Sequence, residues 1–418
     1  MDKFRIRGGS ALSGKLTVSG SKNSALPALA ACLLTEEPVT LHRVPEVRDI
    51  ATMLKLLEYN GAEVQRGPGG ELKIAARKIS NPEAPYEIVK TMRASSLVLG
   101  PLAARTGRAR VSVPGGCSIG ARPINLHTNG LEHLGAVVHQ EHGYIEAVAE
   151  AGLKGTTVHF ERITVTGTED LMMAAALAEG TTVLENAARE PEVVDLADLL
   201  NKMGARVEGA GTSQVRIEGV KRLHGAEHEI IPDRIEAGTF VIGAVMTGSA
   251  LTVEDCRPEH FGALTTKLRQ AGARLEESRT AVEIRPSSQL RSVDITTEEH
   301  PGFATDLQAQ FLALLTRANG IGFVTENIFE NRFMHVPELA RMGANIRIEG
   351  RQAIVAGPAK LTGAQVMCSD LRASASLVLA ALVAEGESVL DRVYHIDRGY
   401  ETIEKKLAGA GAQIERIG

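Results

Sequence analysis

A short helix-end motif recurs six times along this chain, and its spacing constrains the fold more than any other feature. The motif is a leucine, three residues, Gly-Ala, one residue and an aliphatic, and its glycines follow one another at intervals of 68 to 74 residues. A glycine at this point can take the left-handed conformation that ends a helix, and the aliphatic then begins a strand. The six copies are residues 57–64, 131–138, 200–207, 268–275, 339–346 and 407–414.

Each repeat also contains an apolar stretch that is rich in small residues. Residues 377–383 read Leu-Val-Leu-Ala-Ala-Leu-Val and have no polar face, so they predict a helix that is buried on all sides. Strand-like segments such as residues 111–113, Val-Ser-Val, would form the sheets that cover these helices. The six stretches are residues 24–34, 95–104, 171–178, 238–246, 307–315 and 374–384.

Six α+β units, each with one helix under a sheet, predict an α/β protein of two pseudo-threefold domains with three units each. We expect the chain to pass between the domains near residues 227–232. The predicted first domain is residues 22–229, and the second combines residues 1–21 with residues 230–418. A cleft between two such halves is the natural place for a ligand.

The composition is that of an ordinary globular chain. Hydrophobic residues make up 44% of the 418 residues, and charged residues make up 23%. Aromatic residues make up only 3%, tryptophan is absent and the formal net charge is -5, which disfavours nucleic-acid binding. No uncharged run is long enough to cross a bilayer, and Asp2, Lys3 and Arg5 stand where a signal peptide would be apolar. A cytoplasmic protein is therefore expected.

One of the four cysteines stands in an unusual sequence context. Cys117 lies in residues 114–122, Pro-Gly-Gly-Cys-Ser-Ile-Gly-Ala-Arg, where glycines favour a mobile loop and Arg122 would favour the thiolate. Such a thiol is a candidate for proton transfer or nucleophilic attack, and the alternative is a strand-to-helix turn that carries a cysteine by chance. No two cysteines form a CxxC pair, so neither a zinc site nor a dithiol redox motif is predicted. The other three cysteines are Cys32, Cys256 and Cys368.

Two short motifs have the spacing of known binding sites but lack essential residues. Residues 9–15 match most of a P-loop, but Leu16 stands where a serine or threonine must reach magnesium, and the following residues alternate as in a strand. His139 and His142 have HxxH spacing, but without acidic or thiol companions a solvated turn explains them better. Neither a nucleoside triphosphate site nor a metal site is predicted.

Lys22 and Asn23 stand immediately before the first apolar stretch. A lysine beside a helix N-terminus adds a positive charge to backbone N–H groups that have no partner within the helix, and together these suit a phosphate. The alternative is a surface lysine beside glycine, which is common.

Several arginines recur beside glycine, aspartate or asparagine in otherwise apolar surroundings. Arg372 enters an apolar helix and needs either an internal acidic partner, with Asp370 the nearest, or an anionic ligand. Asp306 is either the cap of another such helix or a carboxylate that accepts a proton from a hydroxyl. The recurring arginines are Arg93, Arg122, Arg332, Arg372 and Arg398.

Taken together, these stretches resemble the UDP-N-acetylglucosamine 1-carboxyvinyltransferases, the enolpyruvyl transferases that commit a sugar nucleotide to peptidoglycan synthesis. The likeness extends over essentially the whole chain. The fold of this family, an inside-out α/β barrel of the enolpyruvyl transferase type with two domains of three repeats, agrees with the sixfold period. The matching stretches are residues 19–23 (Ser-Gly-Ser-Lys-Asn), 90–95 (Lys-Thr-Met-Arg-Ala-Ser), 114–122, 185–192 (Glu-Asn-Ala-Ala-Arg-Glu-Pro-Glu), 232–236 (Pro-Asp-Arg-Ile-Glu), 330–335 (Glu-Asn-Arg-Phe-Met-His), 370–376 (Asp-Leu-Arg-Ala-Ser-Ala-Ser) and 395–400 (His-Ile-Asp-Arg-Gly-Tyr).

The resemblance implies a reaction in which phosphoenolpyruvate adds to the sugar 3′-hydroxyl, and the tetrahedral ketal phosphate then loses phosphate. Cys117 matches the residue that donates a proton to the enol methylene and that the epoxide phosphonate fosfomycin alkylates. Asp306 matches the carboxylate at the 3′-hydroxyl, and Asp370 is the second candidate for taking the proton. No metal or cofactor is implied, because arginines would supply the electrostatic stabilisation.

The resemblance also implies which residues bind the two substrates. The phosphate of phosphoenolpyruvate would bind Lys22, Arg122 and Arg398, and its carboxylate would bind Arg332 and Arg372. Arg162 stands where the family commonly has lysine and Asn125 where it commonly has aspartate, which bears on nucleotide affinity more than on chemistry. The nucleotide sugar would bind Asn23, Arg93, Arg122, Pro123, Ile124, Asn125, Leu126, Arg162, Ile163, Thr164, Val165, Asp306 and Ile328.

Three other interpretations compete with this one. A shikimate-phosphate enolpyruvyl transferase would share the fold and chemistry but has no cysteine loop of this kind. A non-catalytic sugar-nucleotide sensor of the same fold would be expected to lose Cys117 or Asp306, and both are present. The RNA-end cyclases have a related fold, but this chain lacks a basic and aromatic surface. The expected partners are therefore phosphoenolpyruvate and UDP-N-acetylglucosamine, without nucleic acid or membrane insertion, and a monomer is favoured.

Overall fold

The computed structural model describes residues 2–113, 124–287 and 289–418. Short strands alternate with helices from end to end of this part of the chain. In chain order, the first twelve strands are β1 Lys3–Arg7, β2 Ser13–Thr17, β3 Val39–His42, β4 Glu63–Arg66, β5 Leu72–Ala75, β6 Glu83–Ala84, β7 Arg108–Ser112, β8 Val137–Glu141, β9 Tyr144–Val148, β10 Thr157–His159, β11 Thr181–Glu185 and β12 Arg206–Glu208. The later strands are β13 Gln214–Glu218, β14 Glu227–Glu229, β15 Ala250–Glu254, β16 Arg274–Glu277, β17 Ala281–Arg285, β18 Ile295–Thr296, β19 Gly320–Thr325, β20 Asn345–Glu349, β21 Gln352–Gly357, β22 Gln365–Met367, β23 Glu387–Asp391 and β24 Gln413–Ile417.

The helices are mostly short, and several are extended at one end by a 3₁₀ turn. The α-helices are α1 Lys22–Ala31, α2 Arg48–Asn60, α3 Tyr86–Val89, α4 Leu99–Thr106, α5 Asn125–His133, α6 Val165–Ala175, α7 Pro191–Lys202, α8 Arg234–Thr247, α9 Gly262–Gln270, α10 Gln308–Leu315, α11 Val336–Arg341, α12 Leu371–Val383 and α13 Ile403–Gly409. The 3₁₀ turns are Cys32–Leu34, Pro68–Gly70, Arg93–Val98, Pro258–Phe261, Thr305–Leu307 and Val393–Arg398.

The strands form six four-stranded sheets that share one pattern. In each sheet the first two strands are parallel and the other neighbours are antiparallel. The strand orders are β14-β3-β5-β4, β6-β7-β9-β8, β10-β11-β13-β12, β2-β15-β17-β16, β18-β19-β21-β20 and β22-β23-β1-β24. The six predicted repeats are therefore confirmed, and the described strands form six separate sheets rather than one closed barrel of hydrogen-bonded strands.

The glycines of the six motifs end helices as the sequence predicts. Each one follows a helix of the set α2, α5, α7, α9, α11 and α13, and each precedes a strand. All six have φ between 94° and 105°, the left-handed region that favours glycine. The glycines are Gly61, Gly135, Gly204, Gly272, Gly343 and Gly411.

The described chain divides into two compact units, each with its own hydrophobic core. The first unit, residues 20–113 and 124–231, contains β3–β14 and α1–α7. The second unit, residues 2–19, 232–287 and 289–418, contains the remaining elements.

The helices at the centre of each core are those that the apolar stretches predict. In the first unit α6 packs against α1 and α4, and in the second α8, α10 and α12 pack against one another. Almost every residue of α8 and α12 is buried, whereas the strands alternate between buried and exposed residues. Within each unit these apolar helices therefore lie inside and the sheets outside, which is the inside-out arrangement expected. None of the described helices is long and apolar enough to cross a membrane.

Candidate active site

The second unit contains a compact charged cluster of Asp306, Arg332 and Arg372, called the arginine–aspartate cluster below. Nη2 of Arg332 donates a hydrogen bond to Oδ1 of Asp306 at 2.8 Å. Nε of Arg372 donates to Oδ2 at 3.1 Å, and Nη2 of Arg372 lies 3.0 Å from the same oxygen. The two arginine side chains are 4% and 3% exposed, whereas that of Asp306 is 26% exposed. Two buried guanidinium groups therefore share one partly exposed carboxylate.

A helix cap explains how Arg372 reaches this position. Oδ1 of Asp370 accepts hydrogen bonds from the backbone N–H groups of Arg372 at 2.9 Å and Ala373 at 3.0 Å, so Asp370 caps α12. The cap places Arg372 in the first turn of the helix, from which its side chain contacts Asp306. A structural side-chain pair between Arg372 and Asp370, one of the alternatives for this arginine, is therefore wrong, because the acidic partner of Arg372 is Asp306.

Asp306 is supported from the core by buried polar side chains. Nε2 of Gln310 donates to the backbone carbonyl of Asp306 at 3.0 Å, and it also contacts Oγ1 of Thr239 at 3.1 Å and the hydroxyl of Tyr400 at 3.2 Å. The guanidinium carbon of Arg372 lies 5.4 Å from the centre of the Tyr400 ring. Neither the turn that contains Asp306 nor α10 has a side-chain cap, so the capping interpretation of Asp306 is wrong.

A buried glutamate connects Thr305, the residue before Asp306, to a second candidate residue, Ile328. Glu326 is 1% exposed, and its Oε1 accepts hydrogen bonds from Oγ1 of Thr297 at 2.7 Å and from the backbone N–H of Ile328 at 2.9 Å. Its Oε2 accepts from Oγ1 of Thr305 at 2.8 Å, directly before Asp306 in the chain. One carboxylate thus bonds the backbone of Ile328 and the side chain of the residue before Asp306.

His335 lies close to the cluster and was given no role by the sequence. Its side chain is fully buried, and neither ring nitrogen has a hydrogen-bond partner within the part of the chain that the structure describes. Burial lowers the pKa of His335 to about 4, with Arg332 adding to the effect and Asp370 opposing it. The imidazole is therefore neutral near pH 7 and adds no charge beside the arginines. The only sequence signal for a role of His335 is its position in the stretch 330–335, which matches the family.

In the first unit, Lys22 is the first residue of α1, as its sequence context predicts. Ser21 caps this helix by accepting a hydrogen bond from the N–H of Ser24. Nζ of Lys22 lies 3.3 Å from Oδ2 of Asp49, and the two side chains are 11% and 5% exposed. Lys22 is thus held at the helix N-terminus by a buried carboxylate, with Asn23 next to it and partly buried.

Most of the candidate nucleotide-binding residues stand at the N-terminal ends of two helices of the first unit. Ile124, Asn125 and Leu126 form the start of α5. Thr164 caps α6, its Oγ1 accepting a hydrogen bond from the N–H of Gly167 at 3.2 Å. Of the other nucleotide candidates, Arg93 starts a 3₁₀ turn, Arg162 and Ile163 precede α6, and Val165 is the first residue of α6. Arg398, a candidate for the phosphate of phosphoenolpyruvate, lies at the end of the turn Val393–Arg398 in the second unit.

Three of the predicted site residues, Cys117, Arg122 and Pro123, lie outside the described residues. No group of three or more His, Cys, Asp or Glu side chains that could hold a metal ion occurs in residues 2–113, 124–287 and 289–418.

A buried glutamate in α6 makes a testable prediction about stability. Burial raises the pKa of Glu169 well above its ordinary value of 4.5, and the nearby carboxylates of Glu192, Glu190 and Asp170 raise it further. Because the folded state favours the protonated form, the contribution of Glu169 to stability should be greatest below about pH 4.5 and should be lost as the pH rises through the folded pKa. Glu169→Gln, which resembles the protonated acid, should raise Tm by about 2 to 5 °C at pH 8 and much less at pH 5.

Scanning calorimetry at both pH values measures this difference. Glu161→Gln, at an exposed position just before α6, is the matched control and should leave Tm unchanged at either pH. A lower Tm for Glu169→Gln at pH 8 would show that Glu169 is ionised and paired in the folded protein.

Comparisons with known proteins show the family of the chain. The family EPSP synthase (3-phosphoshikimate 1-carboxyvinyltransferase) matches residues 6–407. A UDP-N-acetylglucosamine 1-carboxyvinyltransferase of Solibacter usitatus is 69% identical over the full length of both chains. One of Acidobacterium capsulatum is 64% identical, over 100% of this chain and 97% of the relative.

Solved structures of enolpyruvyl transferases are similar to this chain over nearly its whole length. The enolpyruvyl transferase NikO from Streptomyces tendae is 25% identical, with a TM-score of 0.89 over 99% of this chain and 98% of the other. EPSP synthase from Acinetobacter baumannii is 19% identical with a TM-score of 0.78 over all of both chains, which shows the shared fold. The chain belongs to the EPSP synthase family of enolpyruvyl transferases, and within it to the UDP-N-acetylglucosamine 1-carboxyvinyltransferases.

Proposed function

We propose that this protein transfers the enolpyruvyl group of phosphoenolpyruvate to the 3′-hydroxyl of UDP-N-acetylglucosamine and releases phosphate, the first committed step of peptidoglycan synthesis. The observation that carries the proposal is the arginine–aspartate cluster. It occurs in a chain whose full-length relatives, at 53% to 69% identity, are named UDP-N-acetylglucosamine 1-carboxyvinyltransferase. We further propose that it acts in the cytoplasm as a monomer.

Arg332 and Arg372 suit the carboxylate of phosphoenolpyruvate. Each guanidinium is planar and permanently charged, and the two already converge on a single carboxylate, that of Asp306. The carboxylate of Asp306 occupies the position that a substrate carboxylate would take. A bound phosphoenolpyruvate would compete for the same N–H groups and would release Asp306 from one or both arginines.

Asp306 released in this way can act as the base. It would accept the proton of the sugar 3′-hydroxyl as that oxygen attacks C2 of phosphoenolpyruvate. Asp370 is less suited to this role, because its Oδ1 is engaged by two N–H groups at the start of α12. The partial exposure of Asp306, against the burial of both arginines, is consistent with a carboxylate that meets a substrate.

The remaining steps use groups on other parts of the chain. Cys117 would donate a proton to C3 of phosphoenolpyruvate as the 3′-oxygen bonds to C2, giving the tetrahedral ketal phosphate. Loss of a proton from C3 and of phosphate from C2 then leaves the enol ether. We assign Lys22, Arg122 and Arg398 to the phosphate, where positive charge stabilises both the intermediate and the leaving group.

We assign the uridine nucleotide mainly to the starts of α5 and α6. Backbone N–H groups at a helix N-terminus suit a diphosphate, and both helices begin at candidate residues. The residues assigned to the nucleotide sugar are Asn23, Arg93, Arg122, Pro123, Ile124, Asn125, Leu126, Arg162, Ile163, Thr164, Val165, Asp306 and Ile328.

A phosphate-release assay tests the proposal. With phosphoenolpyruvate, the protein should release phosphate when UDP-N-acetylglucosamine is added and not when shikimate 3-phosphate is added. Release with shikimate 3-phosphate alone would establish the other member of the family. Binding of UDP-N-acetylglucosamine without release of phosphate would establish a non-catalytic sensor.

The carboxylate assignment predicts a selective kinetic defect in Arg372→Lys. Lysine keeps the charge but loses the two-pronged contact, so the KM for phosphoenolpyruvate should rise by about tenfold or more. The KM for UDP-N-acetylglucosamine should change by less than about twofold, because Arg372 is not assigned to that substrate. Arg347→Lys, an exposed arginine of β20, is the matched control. An equal rise in both KM values would show that Arg372 is structural and does not bind the carboxylate.

A further inference from the structure

A buried histidine joins the first turns of α5 and α6 in the first unit. Nδ1 of His127 lies 2.9 Å from Oδ2 of Asp170, and Nε2 of the same ring lies 3.2 Å from Oγ1 of Thr166. His127 is 4% exposed and Asp170 is fully buried. Because a carboxylate only accepts hydrogen bonds, the Nδ1–H group donates to Asp170, and Nε2 is left to pair with the hydroxyl of Thr166.

The two helices pack against each other. His127 contacts Thr166 and Asp170 near the starts of the helices, and one turn later Gly130 of α5 meets Leu171 of α6. A Cβ atom at Gly130 would lie 2.0 Å from a methyl carbon of Leu171, so the side chain of Leu171 packs directly against the backbone of Gly130. Hydrophobic contact therefore fixes the distance between the helices, while it leaves sliding and rotation less restricted.

Asp170 is fixed from the other side as well. Its Oδ1 accepts a hydrogen bond from the backbone N–H of Gly100, the second residue of α4, at 2.8 Å. The carboxylate is thus a fixed point in the core, and His127 connects α5 to it. A directional hydrogen bond of this kind limits the sliding and rotation that apolar packing allows.

The residues next to this connection are the ones assigned to the nucleotide. Asn125 and Leu126 directly precede His127, and Thr164 and Val165 directly precede Thr166. Any shift of α5 along α6 would therefore change the distance between the two sets of backbone groups that the nucleotide must bind together.

We propose that His127 is a positioning residue that, through Asp170 and Thr166, holds the starts of α5 and α6 in the register required for binding the uridine diphosphate part of the substrate. The inference rests on the proposed function, because the register of α5 and α6 matters only if their starts bind a uridine nucleotide. His127 acts through the two helices and does not itself touch the nucleotide.

Two variants interrupt the connection at different points. In His127→Asn the shorter side chain can still donate to Asp170 but cannot reach Thr166, and in Thr166→Val the hydroxyl is lost while the shape is kept. Each should raise the KM for UDP-N-acetylglucosamine, and the Kd for UDP measured by calorimetry, by about fivefold or more. The KM for phosphoenolpyruvate and the kcat at saturating substrates should stay within about twofold.

The double variant tests whether the two side chains act as one connection. If they do, His127→Asn with Thr166→Val should weaken UDP binding no more than either change alone. His133→Asn, an exposed histidine on the same helix, is the matched control and should bind UDP as the unaltered protein does. Additive effects in the double variant, or unchanged Kd values in the single ones, would overturn the inference.

The outcome can be separated from failure of the proposed function. If the unaltered protein neither binds UDP nor releases phosphate with UDP-N-acetylglucosamine, the proposed function is wrong and the register inference falls with it. If the unaltered protein does both, and the variants lose only thermal stability, His127 is a structural residue and the register inference alone is wrong.

Discussion

Asp306→Asn should nearly abolish turnover and at the same time tighten the binding of phosphoenolpyruvate. A base that takes the proton of an attacking hydroxyl contributes typically ~10² to ~10⁴ in rate, so kcat should fall by about a thousandfold. The carboxylate of Asp306 also occupies Arg332 and Arg372. Its neutral replacement competes less well for the two guanidinium groups, so the Kd of phosphoenolpyruvate should fall by about tenfold, the equivalent of one charge-assisted hydrogen bond.

Phosphate release gives kcat, and titration calorimetry gives the Kd, since a chain without tryptophan offers no indole fluorescence to follow. Asp198→Asn, an exposed aspartate of α7, is the matched control for the loss of one carboxylate. Near-normal kcat with a lower Tm would show that Asp306 only stabilises the fold. Weaker binding of phosphoenolpyruvate would show that Asp306 organises the arginines for the substrate rather than competing with it.

The repeats could be predicted from sequence because their signals are local. A glycine after a helix is required by the left-handed conformation of a single residue, and all six motif glycines have that conformation. Apolar stretches with no polar face similarly predict buried helices without any knowledge of their neighbours. By contrast, the position of β1 between β23 and β24 joins the two ends of the chain, and the motif contains no sign of that pairing.

The candidate site depended on contacts between distant residues, which the sequence could only leave open. Arg372 had a nearby acid in Asp370 and a distant one in Asp306, and the distant one is its partner. The geometry of a helix N-terminus explains this result, because the carboxylate of a capping residue points to the backbone N–H groups and is not available to the side chain.

Residues without a distinctive sequence context were missed altogether. His127 stands in an unremarkable helical stretch, and its partner Asp170 follows it by 43 residues. Tyr400 lay in a matching stretch, but its hydroxyl gained a role only through contacts with Gln310 and Thr239. Supporting residues of this kind are recognised by burial and by hydrogen-bond partners, both of which depend on the folded structure.

Fosfomycin should label Cys117 and none of the other three cysteines. Cys32, Cys256 and Cys368 are buried, and burial raises the pKa of these thiols to about 12, about 11 and about 12. At pH 7.5 fewer than about 0.1% of such thiols are ionised, and the thiolate is the nucleophile. Cys117, among glycines and near Arg122 in the sequence, has the context of a reactive thiol. Intact-mass measurement and peptide mapping identify the labelled residue, and a label on any buried cysteine would contradict this assignment.

Substitution of Cys117 should separate its two chemical roles. Alkylation needs a nucleophilic sulfur, whereas protonation of C3 needs only an acid whose pKa lies within reach of the working pH. Cys117→Asp should therefore retain substantial turnover and resist the epoxide, while Cys117→Ser, a far weaker acid, should lose about a hundredfold or more in kcat. Cys368→Ser, at a buried position, is the matched control and should remain sensitive to the epoxide. Because a serine hydroxyl could bind the substrates as well as a thiol does but could not protonate C3, full activity in Cys117→Ser would mean that another group donates the proton.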